Sequence, residues 1–64
     1  MKPIVKYDAQ SNAAYIRFSD LKVLESEEVS PGVVFDYDAK GRLVAIELLD
    51  AKSQLPPDIL AEAA

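Results

Sequence analysis

Residues 7–18 read YDAQSNAAYIRF and residues 37–48 read YDAKGRLVAIEL, an offset of 30 positions. Tyr7/Tyr37, Asp8/Asp38, Ala9/Ala39 and Ile16/Ile46 coincide, and Phe18/Leu48 and Ala14/Val44 agree in character. Where the copies differ in charge they differ in sign: Arg17 answers to Glu47, and Lys6 to Asp36. Each copy places a polar turn before an alternating apolar run, which is the pattern of a β-hairpin. Two hairpins built with the same turn residues resemble each other with or without a duplication, and both origins stay open.

Working outward, Pro3 to Tyr7 is short and rich in β-branched residues and reads as a first strand. Asp8 to Asn12 is a polar turn. Ala13 to Ser19 alternates, with Ala14, Ile16 and Phe18 on one side and Tyr15 and Arg17 on the other, and reads as a second strand. Residues 20–31 are read as a connector: Leu21, Val23 and Leu24 extend a strand or fill the core, while Glu25, Glu27 and Glu28 keep the segment wet. Pro31-Gly32 punctuates the chain before a third strand, Val33 to Tyr37. Asp38-Ala39-Lys40-Gly41 is a turn, with Asp suited to its start and Gly41 to a positive φ at its end. Arg42 to Asp50 is the fourth strand. Pro56-Pro57-Asp58 opens a short helix over about 57–63, since proline fits the first helical turn and Asp58 favours the positive end of the helix dipole. Ala61, Ala63 and Ala64 are strong helix formers. So short a helix needs docking, for which Ile59, Leu60 and Ala63 are available.

Loop length decides which residues face each other. A four-residue loop over Asp38–Gly41 puts Tyr37 opposite Arg42, Phe35 opposite Val44 and Val33 opposite Ile46. Val33, Phe35, Val44, Ile46 and Leu48 then share a face, as do Val5, Tyr7, Ala14, Ile16 and Phe18 in the first hairpin. A three-residue loop sets Asp36 among the apolar residues, because a one-residue slip turns every side chain over. The four-residue loop is therefore expected. The second face carries Ile4, Lys6, Tyr15, Arg17, Val34, Asp36, Leu43, Ala45 and Glu47. It mixes large apolar residues with both signs of charge, where an antiparallel sheet usually shows one clean polar face. Contiguous apolar surface on a small protein marks an interface, although single exposed apolar residues are normal. Ile4, Tyr15, Arg17, Val34, Leu43 and Glu47 are the interface residues expected here. Tyr15 is favoured as an anchor, and Tyr7 and Tyr37 as sheet packing.

The composition bears on how such a chain is stabilised. Sixty-four residues make one domain, 1–64, divided into a hairpin at about 3–19, the connector at 20–31, a hairpin at about 32–50 and the helix. A chain of this size buries only about 60% of its unfolded surface and usually needs reinforcement. Cysteine and histidine are absent, which removes disulfides, thiolate sites and imidazole ligands and leaves self-association as the expected reinforcement. The net charge of −4 disfavours direct nucleic-acid binding and suits either plain solubility or a basic protein partner. Met1-Lys2-Pro3 leads straight into a strand with no signal-peptide pattern. No apolar run approaches the ~20 residues of a membrane helix. A soluble cytoplasmic protein is expected.

Motifs for chemistry are weak. Residues 36–47 place Asp at positions one and three, Gly at six and Glu at twelve of a calcium-loop pattern. Lys40 stands where a ligand oxygen belongs, and the flanks alternate as strands do. Asp36 with Glu47, or Asp8 with Asp38, can be drawn as an acid–base pair, yet nothing in the spacing requires it. No serine has a visible base beside it. No catalytic residue, cofactor or metal ligand is assigned, and no enzyme is expected.

The run Ala14-Tyr15-Ile16-Arg17-Phe18-Ser19, the later Glu28-Val29-Ser30-Pro31-Gly32-Val33, and the block Asp36-Tyr37-Asp38 with Gly41 to Ala51 resemble a family of small bacterial proteins. That family is catalogued as a domain of unknown function, number 2283. The resemblance runs from about Lys6 to Ser53. The chain departs from the family in having Ala45 where glycine is common, and Ala13 and Asn12 where an acidic residue and leucine are common. The resemblance implies a compact β-rich domain with no assigned activity or cofactor. Similar proteins sit beside small toxin-like proteins, which implies an antitoxin-like role as the alternative.

The reading is an α+β, mainly β fold: a four-stranded antiparallel meander of two similar hairpins with a short C-terminal helix. Its expected function is a non-enzymatic interaction module, a homodimer through the second face. The alternative is an antitoxin-like acidic partner of a small basic toxin.

Overall fold

The computed structural model describes residues 2–63; Met1 and Ala64, the latter read above as a helix former, lie outside them. The strands are β1 (Ile4–Asp8), β2 (Ala13–Arg17), β3 (Glu25–Ser30), β4 (Val33–Tyr37) and β5 (Leu43–Leu49). Two helices follow, α1 (Ala51–Gln54) and α2 (Pro57–Ala63). The sheet is antiparallel throughout, in the order β1-β2-β5-β4-β3.

Two expectations are corrected here. The sheet has five strands, because part of the expected connector forms β3 along the outer side of β4. It is also not a simple meander, because β2 pairs with β5 and the chain then travels to the far edge. β2 to β5 therefore trace a Greek key, and β1 extends it. The seven residues from Phe18 to Leu24 span the three strand spacings from β2 to β3, about 14 Å, at one end of the sheet. The amide of Phe18 donates to Val44 O at 2.9 Å and that of Leu24 to Tyr37 O at 2.8 Å, which fastens this crossover to β5 and β4.

The second hairpin does not have the four-residue loop. Asp38 N donates to Arg42 O at 2.9 Å and Gly41 N to Asp38 O at 3.1 Å. Ala39-Lys40-Gly41 is thus a three-residue loop, with Gly41 at φ 76° supplying the left-handed residue this loop type requires. Tyr37 faces Leu43, whereas Asp36 faces Ala45, Phe35 faces Ile46 and Val33 faces Leu48. Val44 is the extra residue of a β-bulge, and the bulge restores the alternation that the short loop upsets. Asp36 therefore stays off the core face. The first hairpin does have a four-residue loop, residues 9–12, and closes with Asn12 at φ 54°. The turn chemistry is nonetheless shared. Asp8 Oδ1 accepts from Gln10 N at 3.0 Å, and Asp38 Oδ1 accepts from Lys40 N at 2.9 Å.

Both helices pack on the first face. Ala14, Leu48, Ala51 and Leu60 form its buried cluster, with Tyr7, Ile16, Val33, Ile46 and Leu55 against it. Of the expected docking residues of α2, Leu60 is buried, Ala63 is half-buried and Ile59 is exposed. α1 is locked to the first hairpin. Asn12 Oδ1 accepts from Tyr7 Oη at 2.9 Å and from Lys52 N at 3.1 Å, and Asn12 Nδ2 donates to Asp50 Oδ1 at 2.9 Å.

Candidate functional site

The register builds the second face in rows, since residues opposite one another across neighbouring strands share a face. One row runs Ile4, Arg17, Ala45, Asp36, Ser26 from β1 to β3. The next runs Lys6, Tyr15, Glu47, Val34, Glu28. Asp8, Ala13 and Leu49 continue the face. Among the described residues, no side chain of these rows belongs to the cluster under the helices.

At the centre lie two carboxyls. Asp36 is 1% exposed and accepts a 2.6 Å hydrogen bond from Ser26 Oγ. Ala45, between Arg17 and Asp36, is 0% exposed. Glu47 stands diagonally across β4 and β5 from Asp36 and hydrogen-bonds to it. That bond holds the Glu47 carboxyl above its ordinary pKa, with burial and the charge of Asp36 pushing the same way. On the other side, Arg17 Nη1 donates to Tyr15 Oη at 2.6 Å and Nη2 to Leu21 O at 2.5 Å. Among the described residues the ion pair within 4.0 Å is Arg42 with Asp38, so Arg17 keeps a charge with no carboxylate against it.

Five of the six expected interface residues therefore come together: Ile4 and Arg17 in one row, Tyr15, Val34 and Glu47 in the next. Leu43 is set apart, because the bulge at Val44 places it opposite Tyr37. Sequence reasoning missed Ser26 and Glu28 because the strand carrying them was read as a loop. Glu25 to Glu28 are all polar and exposed, so the segment carries no apolar–polar alternation from which a strand is read.

The site's chemistry is that of a surface. An open depression of about 330 Å³ beside Lys6, Tyr15, Glu47 and Leu49 lies on this face. The calcium-pattern residues disperse: Asp36 and Glu47 stand on the sheet, while Asp38 closes its own turn. Asp38 accepts from Lys40 N, Arg42 N and Arg42 Nε, each at 2.9 Å. The backbone N–H of Arg42 is the main cause holding the Asp38 carboxyl below its ordinary pKa. Burial opposes it, and the Arg42 side chain, Lys40 N–H and the Arg42 charge add to it. Among the described residues no group of three or more potential metal ligands is gathered. No helix among them is long and apolar enough to cross a membrane.

A family model described as "Protein of unknown function (DUF2283)" matches residues 4–52. No curated protein matches, and no solved structure does.

Proposed function

From a chain that belongs to the DUF2283 family of unknown function, we propose a non-enzymatic interaction module that forms a homodimer through the second face of its sheet. The observation that carries this reading is that the helices occupy only one face of the five-stranded sheet. The other face presents exposed Ile4, half-buried Tyr15 and Val34, and charges of both signs. A small domain gains stability by burying such a face, and the mixture of aromatic, aliphatic and arginine side chains is that of interface cores. Light scattering after size exclusion, across a concentration series, tests the proposal. A mass of twice the chain that falls on dilution is expected, and a monomer mass at every concentration up to high micromolar refutes it.

A second reading is favoured by β3. All six of its residues are exposed, it lies at the sheet edge, and Glu25, Glu27 and Glu28 crowd it with negative charge. An extended basic segment of a small toxin-like protein adds to such an edge by strand pairing, with its cations against the glutamates. Co-expression with a candidate basic partner and co-purification at moderate salt tests this. Unchanged recovery after Glu25, Glu27 and Glu28 are replaced by glutamine refutes it.

A further inference from the structure

The chain has a net charge of −4, yet one end of the sheet is basic. There the crossover from Phe18 to Leu24 passes beside the turn that joins β4 to β5. An open depression of about 250 Å³ lies between them, lined by Leu21, Lys22, Asp38, Ala39, Lys40 and Arg42. Leu21 is 48% exposed and, with Ala39, gives the depression its apolar wall. The crossover is held at this point, because Arg17 Nη2 donates to Leu21 O at 2.5 Å and Leu21 N to Ser19 Oγ at 3.1 Å. Three cations stand around the depression with one carboxylate, and that carboxylate is already engaged. Asp38 Oδ1 accepts from Lys40 N and Arg42 N, and Oδ2 from Arg42 Nε, each at 2.9 Å. Asp38 thereby fixes the guanidinium by one nitrogen and leaves Nη1 and Nη2 without a hydrogen bond among the described residues, on a side chain that is 61% exposed. Among the described residues, neither Lys22 nor Lys40 has a carboxylate within 4.0 Å.

We propose that this depression binds the C-terminal residue of a partner chain that ends in an aliphatic side chain, with the α-carboxylate on Arg42 and the side chain against Leu21. The size decides the class of ligand. Pockets for cofactors and drug-sized molecules hold about 300–1,000 Å³, so this one is too small for a nucleotide or coenzyme and takes a single amino-acid residue. The lining decides the chemistry, because it asks for an anionic group and an apolar group side by side. Within an extended segment, neighbouring side chains point to opposite sides, so an internal acidic residue next to a leucine presents only one of the two. A C-terminal leucine, isoleucine or valine carries both on one carbon. The two free Nη groups of Arg42 form the planar fork that receives a carboxylate through two parallel hydrogen bonds, and Asp38 sets that fork in place before the ligand arrives. Lys22 and Lys40 add attraction from the rim that salt screens. The depression lies beyond the rows of the second face, so this inference goes beyond the homodimer reading and does not depend on it.

The test is a titration of the intact, nitrogen-15-labelled chain with a short acetylated peptide ending in Gly-Leu with a free carboxylate, followed by backbone amide shifts. Shifts confined to residues 20–22 and 38–42 are expected, with a dissociation constant of about 0.1–1 mM for so small a contact. The same peptide with its C-terminus amidated is expected to bind about tenfold more weakly, because the charge-assisted pair to Arg42 is lost. The same peptide ending in serine is also expected to bind more weakly, for want of the contact with Leu21. Lys22 and Lys40 are exposed, and their side chains take no part in the bonds of Asp38, so Lys22→Gln with Lys40→Gln leaves the fold intact. That double variant is expected to weaken binding about fivefold, and raising the salt is expected to do the same to the wild type. Arg42→Lys, which keeps the charge and removes the fork, is expected to weaken it about tenfold. No shifts at about 10 mM peptide, or shifts centred on other residues, overturn the proposal. So does equal binding of the amidated or the serine-ended peptide. Binding of 4-methylpentanoate as tight as that of the peptide overturns the assignment to a chain end, since that compound has the carboxylate and the branched tail without the peptide.

Discussion

Leu48 and Leu49 are neighbours in β5 with opposite fates, which makes them a direct test of which way the sheet faces. Leu48 is 8% exposed and sits in the cluster with Ala14, Ala51 and Leu60, whereas Leu49 is 50% exposed on the second face. Leu48→Ala removes three carbon groups from that cluster, a transfer loss of about 2.4 kcal/mol at ~0.8 kcal/mol per group. The vacated space adds to the loss unless α1 and α2 settle into it, so a total near 3 kcal/mol is expected, within the range of buried leucine truncations. A domain of this length is stable by only about 3–10 kcal/mol, so this one change consumes a large share of it. At ~4–8 °C per kcal/mol the melting temperature falls by about 12–24 °C. Leu49→Ala is expected to stay within about 0.5 kcal/mol when the protein is dilute enough to be monomeric. The assay is urea unfolding followed by circular dichroism, comparing midpoints at unchanged m-value. Similar costs for the two residues, or a larger one for Leu49, refute the face assignment, because a one-residue slip of β5 inverts the pair.

Three further outcomes follow from single positions. Gly32 has φ 78°, and a Cβ there lies 3.3 Å from Leu49 O and from Gln54 Nε2, whereas Gly41 at φ 76° has nothing within 4 Å. Gly41→Ala is expected to cost about 1 kcal/mol for its backbone alone, and Gly32→Ala measurably more in the same unfolding assay. Glu47 is held above its ordinary 4.5, so its contribution is complete below that value and lost as pH rises through the folded-state pKa. Glu47→Gln should flatten the decline of melting temperature between acid and neutral pH, as followed by thermal melts of the monomer. Asp38 is held below its ordinary 3.8, so its contribution is present above that value and lost as pH falls through the lower folded-state pKa. Asp38→Asn should remove that part of the acid unfolding curve, in a window that does not overlap the one for Glu47.

The sequence made the four apolar strands legible because Val5, Tyr7, Ala14 and Ile16, and later Val33, Phe35, Ile46 and Leu48, alternate with polar neighbours. The division of the sheet into two faces followed from the same alternation. β3 escaped because Glu-Ser-Glu-Glu has low β-propensity, and it is a strand through its pairing with β4 at an exposed edge. The register of the second hairpin differs from the expected one for a physical reason. A four-residue loop is expected because it keeps Asp36 out of the core, yet the chain uses three residues and then corrects the alternation with one extra residue, Val44. Nothing in the local sequence announces a bulge there. The burial of Asp36 was equally hidden, since its partner Ser26 arrives from the unrecognised strand.

The pairing of β2 with β5 also governs the order in which the molecule can assemble. Every other strand contact is made by a hairpin, but this one joins Arg17 to Ala45 and Ala13 to Leu49 across the whole intervening chain. The N-terminal hairpin and the β3–β4–β5 unit each close locally and quickly, and the seam between them carries the loop-closure entropy and sets the rate. Substitutions that weaken the seam at Ile16 or Ile46 are therefore expected to slow refolding, while Glu27 or Phe35 in the local unit mainly alters unfolding. The crossover from Phe18 to Leu24 is the hinge of that step. In a crowded refolding mixture it is also where one molecule's hairpin can close the seam of another, so the route to the native monomer and the route to an exchanged dimer diverge at the same seven residues.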